Sequence, residues 1–247
     1  MNFNTLHEGD CLKVMAGLPD GCADMILCDL PYGVTQNAWD SVVPVAELWS
    51  QYKRVLKSNG AVVLTAQQPF TSALVVSNLK WFKYEWIWEK DNGTGFLNAK
   101  KQPLRNHESI LVFYQKQPTY NPQMRAGKPY LAKTGATKSK NYGKQRDVHT
   151  SCTDGLRYPL TVVKMTRGNT IHPTQKPVAL FEYLIRTYTN DGDTVLDNCA
   201  GSGTTAIAAM NTNRKYILIE KDAAYCDIIR RRIAEYHSKP KQMALAI

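Results

Sequence analysis

Acidic residues are scarce in this chain, and several patterns that would place it quickly are missing. Its 247 residues carry 21 Asp and Glu against 31 Lys and Arg, a formal net charge of +10. An excess of that size points to an anionic partner, of which nucleic acid is the commonest; the alternative is a basic surface that serves solubility. The six cysteines are Cys11, Cys22, Cys28, Cys152, Cys199 and Cys226, and none forms a C-x-x-C pair, so the usual zinc patterns are absent. No apolar run approaches the roughly 18 residues of a membrane span. Met1-Asn2-Phe3-Asn4 leads into polar residues rather than into a signal peptide. The expected setting is therefore a reducing cytoplasm, with free thiols. There is no internal repeat. What is present is ordinary for a globular chain, 43% hydrophobic and 21% charged. The length suffices for one sizeable α/β domain with an insertion, or for two small domains.

Three regions differ in character. Residues 4–98 alternate short apolar runs with helical stretches: Ala23–Cys28 and Ala61–Ala66 read as buried strands, and Trp81–Trp88 as a third. Val45–Leu56 and Phe70–Leu79 have helical spacing, and Lys57-Ser58-Asn59-Gly60 reads as the stop of the first helix. Residues 99–170 are basic and rich in Gly, Pro and Asn, with one clear strand at Ser109–Tyr114. Residues 171–237 return to alternation, with helices at Pro177–Thr189, Thr204–Met210 and Asp222–Tyr236 and strands at Thr194–Asp197 and Tyr216–Glu220. The predicted architecture is a mostly parallel, doubly wound, Rossmann-like sheet made by 1–98 and 171–237 together, with 99–170 inserted and 238–247 as a tail. Such sheets bind ligands at the carboxyl ends of their strands, and the motifs below all fall there.

The run Thr194-Val195-Leu196-Asp197-Asn198-Cys199-Ala200-Gly201-Ser202-Gly203-Thr204-Thr205 is strand, glycine loop, helix. The glycines admit a ligand close to the backbone, and the helix start offers free N–H groups. The next strand ends in Glu220, 23 residues after Asp197. An acidic side chain there can accept from both ribose hydroxyls of an adenosine-containing cofactor. The loop is not G-x-G-x-x-G; its shorter form suits a ligand with a carboxylate better than a pyrophosphate and argues against NAD. A tight turn in a plain βαβ unit is the competing reading.

Asp29-Leu30-Pro31-Tyr32-Gly33 follows the strand 23–28. An Asp at a strand end, a rigid proline turn and an aromatic make a compact acceptor site for an amino group. Leu30, before proline, is pushed towards an extended conformation that lets its carbonyl join Asp29. Tyr32 offers a face on which a planar base can stack. The competing reading is a turn whose Asp caps a neighbour.

Taken in order, these segments resemble the β-class S-adenosylmethionine-dependent DNA amino-methyltransferases, which act on adenine N6 or cytosine N4. Asp29-Leu30-Pro31-Tyr32 resembles the family's D-P-P-Y motif, and Leu196–Thr205 its cofactor loop. Ile171-His172-Pro173-Thr174-Gln175-Lys176-Pro177 resembles the segment that precedes that loop. The resemblance implies S-adenosylmethionine held by Asp10, Cys11, His172, Thr174, Lys176, Asp197, Gly201, Ser202, Gly203, Thr204 and Glu220. Lys176 would meet the cofactor carboxylate, and Asp10 would lie near the adenine amine. It implies Asp29, Leu30, Pro31 and Tyr32 as the catalytic motif, and no metal. Read alone, His172 would be a core histidine and Lys176 a solvated lysine. Two departures stand out. Leu30 replaces the usual first proline, which leaves the carbonyl contact in place, and Asn198-Cys199 replaces the usual Pro-Phe. The acidic Asp29 resembles the N6-adenine enzymes.

By the same resemblance, 99–170 is the target-recognition region of a double-stranded DNA substrate. Its Lys100, Lys101, Arg105, Lys116, Arg125, Lys128, Lys133, Lys138, Lys140, Lys144 and Arg146 would neutralise phosphates. Tyr114, Tyr120, Tyr130, Tyr142 and Tyr158 lie between them. Reaching Asp29 requires the target base to leave the helix. A homodimer and a cognate restriction enzyme are further expectations of the family. Asn106-His107-Glu108 lacks H-E-x-x-H spacing and reads as structural.

Overall fold

The structure is a computed structural model, and it describes residues 2–32, 43–134, 138–139, 143–144, 148–166 and 175–238. The strands are β1 (Thr5–Glu8), β2 (Ala23–Asp29), β3 (Leu56–Ala66), β4 (Phe82–Thr94), β5 (Arg105–Phe113), β6 (Arg125–Ala126), β7 (Tyr130–Thr134), β8 (Lys138–Ser139), β9 (Gly143–Lys144), β10 (Val148–Cys152), β11 (Leu156–Arg157), β12 (Val162–Lys164), β13 (Thr194–Asp197) and β14 (Lys215–Glu220). The helices are α1 (Cys11–Ala16), α2 (Val45–Val55), α3 (Phe70–Ser77), α4 (Val178–Tyr188), α5 (Thr204–Asn211) and α6 (Ala223–Ser238).

Eight strands form one sheet in the order β1-β14-β13-β2-β3-β5-β4-β12. Neighbours are parallel except where β5 pairs antiparallel with β3 and β4. The central strands are buried on both faces, which is why they read as continuous apolar runs. Alternation sends Ile26, Val62, Leu64, Leu111 and Phe113 into a core under α1, α2 and α3. It sends Met25, Leu27, Val63, Ile110 and Val112 into a second core under α4, α5 and α6. On α2 the buried Leu48, Trp49, Tyr52 and Val55 repeat at helical spacing, and each fully buried side chain of that size contributes about 1.5–3 kcal/mol.

The expected helix stop at 57–60 is instead part of β3, whose extended backbone starts at Leu56 opposite Ala23. The register shifts between Ala23 and Met25, and a Cβ at Gly60 would lie 2.7 Å from the Asp24 carbonyl oxygen, so only glycine fits.

The chain leaves β13 for β14 through α5 and leaves β2 for β3 by way of α2, in opposite directions across the sheet. Since β13 and β2 are neighbours, their carboxyl ends flank a topological switch point.

Pro122–Leu160 forms a separate compact unit of three short antiparallel pairs, β7 with β10, β6 with β11 and β8 with β9. Within it Arg157 lies over the Tyr130 ring at 4.3 Å from its centroid, and Arg125 Nε donates to the Tyr158 carbonyl at 3.1 Å. This unit is narrower than the expected insertion 99–170. β5 and β12 belong to the main sheet, because the apolar 110–113 run packs on both cores and β12 pairs with β4.

Candidate active site

Three strand ends, those of β1, β14 and β13, assemble the cofactor side. β1 and β14 pair with Glu8 opposite Glu220, and Gly9 N donates to the Glu220 carbonyl at 2.8 Å, so Asp10 and Cys11 start beside the end of β14. Asp10 is the N-cap of α1, its Oδ1 accepting from Lys13 N at 3.0 Å, and Cys11 is the first residue of that helix. Ala200 N donates to the Ile219 carbonyl at 3.0 Å, and Gly201 N to Glu220 Oε2 at 2.8 Å, which ties the glycine loop to the acidic strand end. The fit to an adenosine cofactor shows at Gly201: its φ is +51°, and a Cβ placed there meets nothing within 4 Å, so the loop backbone faces open space beside a carboxylate. Gly203, at φ +80°, is closed in instead, since a Cβ would lie 2.9 Å from Ile229 of α6. Ser202 and Thr204 are buried at the start of α5, and Ser202 Oγ and its carbonyl both accept from the buried Arg232.

Asp197 is buried at the end of β13 and accepts from the Thr205 hydroxyl and from Cys199 N at 3.1 Å. Burial pushes its carboxyl up to about 7, against the hydrogen bonds from Thr205 and Cys199. The unusual Asn198 is also buried, and its Oδ1 accepts from the Tyr52 hydroxyl at 2.6 Å. That partner, 146 positions away, satisfies a buried polar group at the start of the loop.

Asp29 stands across the switch point, at the end of β2. Its Oδ1 accepts from the Tyr32 hydroxyl at 2.6 Å and from the Thr65 hydroxyl, and its Oδ2 from Lys176 Nζ at 2.6 Å. The Tyr32 ring rests against Phe70, with 5.5 Å between centroids, and Lys176 Nζ is 5.7 Å from the Tyr32 centroid. Burial and the Asp29 charge hold the Tyr32 hydroxyl well above its ordinary range. Leu30 is buried and Pro31 half-buried.

The Lys176 ammonium lies on Asp29 and 3.3 Å from Glu108 Oε2. Burial alone would lower its pKa; Asp29 and Glu108 raise it above the usual lysine range. Glu108, read from sequence as structural, belongs to the site: its Oε1 accepts from Lys90 and from Gln67 Nε2 at 3.2 Å. Burial opposes its ionisation, and Lys176 and Lys90 overcome that and hold it below the ordinary carboxylate range. Thr65, Lys90 and Arg232 escaped the sequence reading because each acts across a strand pairing or helix contact that no local motif encodes. His172 and Thr174 lie outside the described residues.

A doubly wound sheet with a glycine loop and an acidic strand end on one side of its switch point, and an Asp-containing proline turn on the other, is the layout of a nucleoside-cofactor enzyme. The DNA methylase family, whose members act on N6 or N4 amines, matches residues 23–231 of the chain. The chain belongs to this family and is an S-adenosylmethionine-dependent DNA amino-methyltransferase. It is 28% identical to the type II methyltransferase M.HinfI of Haemophilus influenzae over 278 residues, spanning 98% of this chain and 72% of that protein. Among solved structures it resembles the complex of M1.HpyAVI with SAM, with a TM-score of 0.62 and 24% identity over 92% of this chain and 98% of that one. It also resembles the cytosine-N4-specific PvuII DNA methyltransferase, with a TM-score of 0.67 and 13% identity over 99% and 89% of the two chains.

Proposed function

We propose that the chain methylates the N6 amine of adenine in double-stranded DNA, as the modification partner of a restriction enzyme. The observation that carries the chemistry is Asp29 at the end of β2, which pairs with β13, the strand that leads into the glycine loop. Bound S-adenosylmethionine supplies a methyl group on a positively charged sulfur. On this reading Glu220 accepts from the ribose hydroxyls. The open face of Gly201 receives the methionine portion, with Ser202, Gly203 and Thr204 shaping the loop and Asp197 supporting it from below. Asp10 and Cys11 border the adenine of the cofactor, and His172 and Thr174 complete its surroundings.

The exocyclic amine of adenine is a weak nucleophile because its lone pair is delocalised into the ring. Asp29 and the Leu30 carbonyl accept its two N–H bonds, favour a tetrahedral nitrogen and stabilise the positive charge that grows as the N–C bond forms. Pro31 fixes the turn, and Tyr32, anchored on Asp29, gives the base a stacking surface. The base must be flipped from the duplex to arrive there. An acidic residue at position 29 favours adenine; the fold shared with a cytosine-N4-specific enzyme keeps N4 methylation as the second reading.

The test is to incubate the protein with unmethylated bacterial DNA and methyl-labelled S-adenosylmethionine, then identify the labelled nucleoside. N6-methyladenine supports the reading, and N4-methylcytosine replaces it with the second. Asp29→Ala should lower methyl transfer by roughly 100-fold or more with cofactor affinity kept; wild-type turnover in that variant would remove Asp29 from the mechanism.

A further inference from the structure

Asp29 Oδ1 accepts from two hydroxyls and Oδ2 from a charged ammonium, so an amine that donates to Oδ2 competes with Lys176 for that oxygen. The Tyr32 and Thr65 hydroxyls on Oδ1 ride on short, packed side chains, and Thr65 is fully buried. Lys176 on Oδ2 has a long, flexible stem and a second acceptor within reach. Glu108 Oε2 lies 3.3 Å from its Nζ, is buried and makes no hydrogen bond among the described residues. A buried carboxylate oxygen without a hydrogen bond is costly, and a small shift of Nζ would complete that bond. The Asp29 side chain keeps 30% of its surface exposed, against 8% for Lys176 and 5% for Glu108, so a base can approach Asp29 from outside while the lysine retreats inward.

We propose that Lys176 is an exchangeable latch on Asp29, which passes to Glu108 Oε2 when the amine of the target base takes its place on Asp29 Oδ2. Lys90 and Gln67 hold Glu108 in position through Oε1. Two ammonium groups, Lys90 and Lys176, face two carboxylates, Asp29 and Glu108, before and after the exchange, so no proton moves. Glu108 is a positioning residue that acts through Lys176. The proposal rests on the reading of Asp29 as the amine acceptor.

The test uses the intact protein saturated with S-adenosylhomocysteine, which has no methyl group to transfer. The modified site is first mapped in genomic DNA. Short duplexes carrying it are then made with the target base intact or lacking its exocyclic amine, in each case opposite an abasic site so that pairing does not contribute. Wild-type protein should bind the intact base about tenfold more tightly or better, the preference expected of a hydrogen bond to a charged acceptor. Glu108→Gln leaves Lys176 without a charged alternative, so that preference should fall towards one with cofactor affinity kept, while the melting temperature falls because the buried Lys90 loses its charged partner. Glu108→Asp keeps the charge opposite Lys90 but draws it back from Lys176, and should lose part of the preference; it decides the matter if the Gln variant does not fold. A wild-type preference in a folded Glu108 variant overturns the latch. A preference of one in the wild type removes the amine contact at Asp29 itself, and the latch with it.

Discussion

Asp197 sits where the cofactor loop leaves the sheet, wholly buried, with the Thr205 hydroxyl and Cys199 N as its described donors. Burial raises its pKa to about 7, whereas an unfolded Asp titrates at about 3.9. A folded-state pKa above the unfolded one means that the native state binds the proton more tightly. The associated stability is fully present below about pH 4 and is lost as pH rises through about 7. Asp197→Asn, which stays neutral, should therefore leave stability near wild type at pH 4 and exceed it by on the order of 4 kcal/mol at pH 8. Urea unfolding of both proteins at the two pH values checks this. An Asn variant less stable than wild type at pH 8 would show that the hydrogen bonds to Thr205 and Cys199 outweigh the buried charge. At the same scale, Tyr52 explains how the loop accepts Asn198: one buried hydroxyl supplies the bond that its side-chain oxygen requires.

At the scale of elements, the loop between β13 and α5 carries two glycines with different duties. Both have positive φ, +51° at Gly201 and +80° at Gly203, so alanine at either costs roughly 1–2 kcal/mol of backbone strain. At Gly203 an added methyl also drives into Ile229 of α6, the helix whose Arg232 already grips Ser202. Gly203→Ala should therefore lower stability by more than Gly201→Ala. At Gly201 the methyl projects into open space beside Glu220, so Gly201→Ala should weaken S-adenosylmethionine binding more than it weakens the fold. Thermal melts and binding calorimetry on the pair check the split; equal losses in both assays would mean that the two glycines share one role.

Across the whole molecule the net charge of +10 is the long-range feature. Lys100, Lys101 and Lys128 are exposed, and replacing all three with glutamine should weaken DNA binding at every sequence alike. The slope of log affinity against log salt should become shallower by about 0.9 for each phosphate that the variant no longer neutralises, measured by fluorescence anisotropy. An unchanged slope would place the DNA on another surface. The linear chain settles what is local. Apolar runs such as 23–28 and 61–66 are strands because central parallel strands bury both faces. The glycine loop, the D-x-P-Y turn and Glu220 could be named because each is a contiguous signal at a strand end. Where the sequence misled, the cause was also local. Lys57–Gly60 carries the residues of a helix stop, but pairing with β2 made it strand; 99–121 looked like an insertion, but β5 completes the sheet. What lies across from what was left to the tertiary structure. It set Asp29 and Asp197 on adjacent strand ends, gave Asn198 its partner in Tyr52, and closed the chain of charges from Asp29 through Lys176 and Glu108 to Lys90. Lys176 meets Asp29 from 147 positions away and Glu108 from 68. A buried ion pair between such distant residues depends on which strands the sheet brings side by side, and no pattern within a single segment records that.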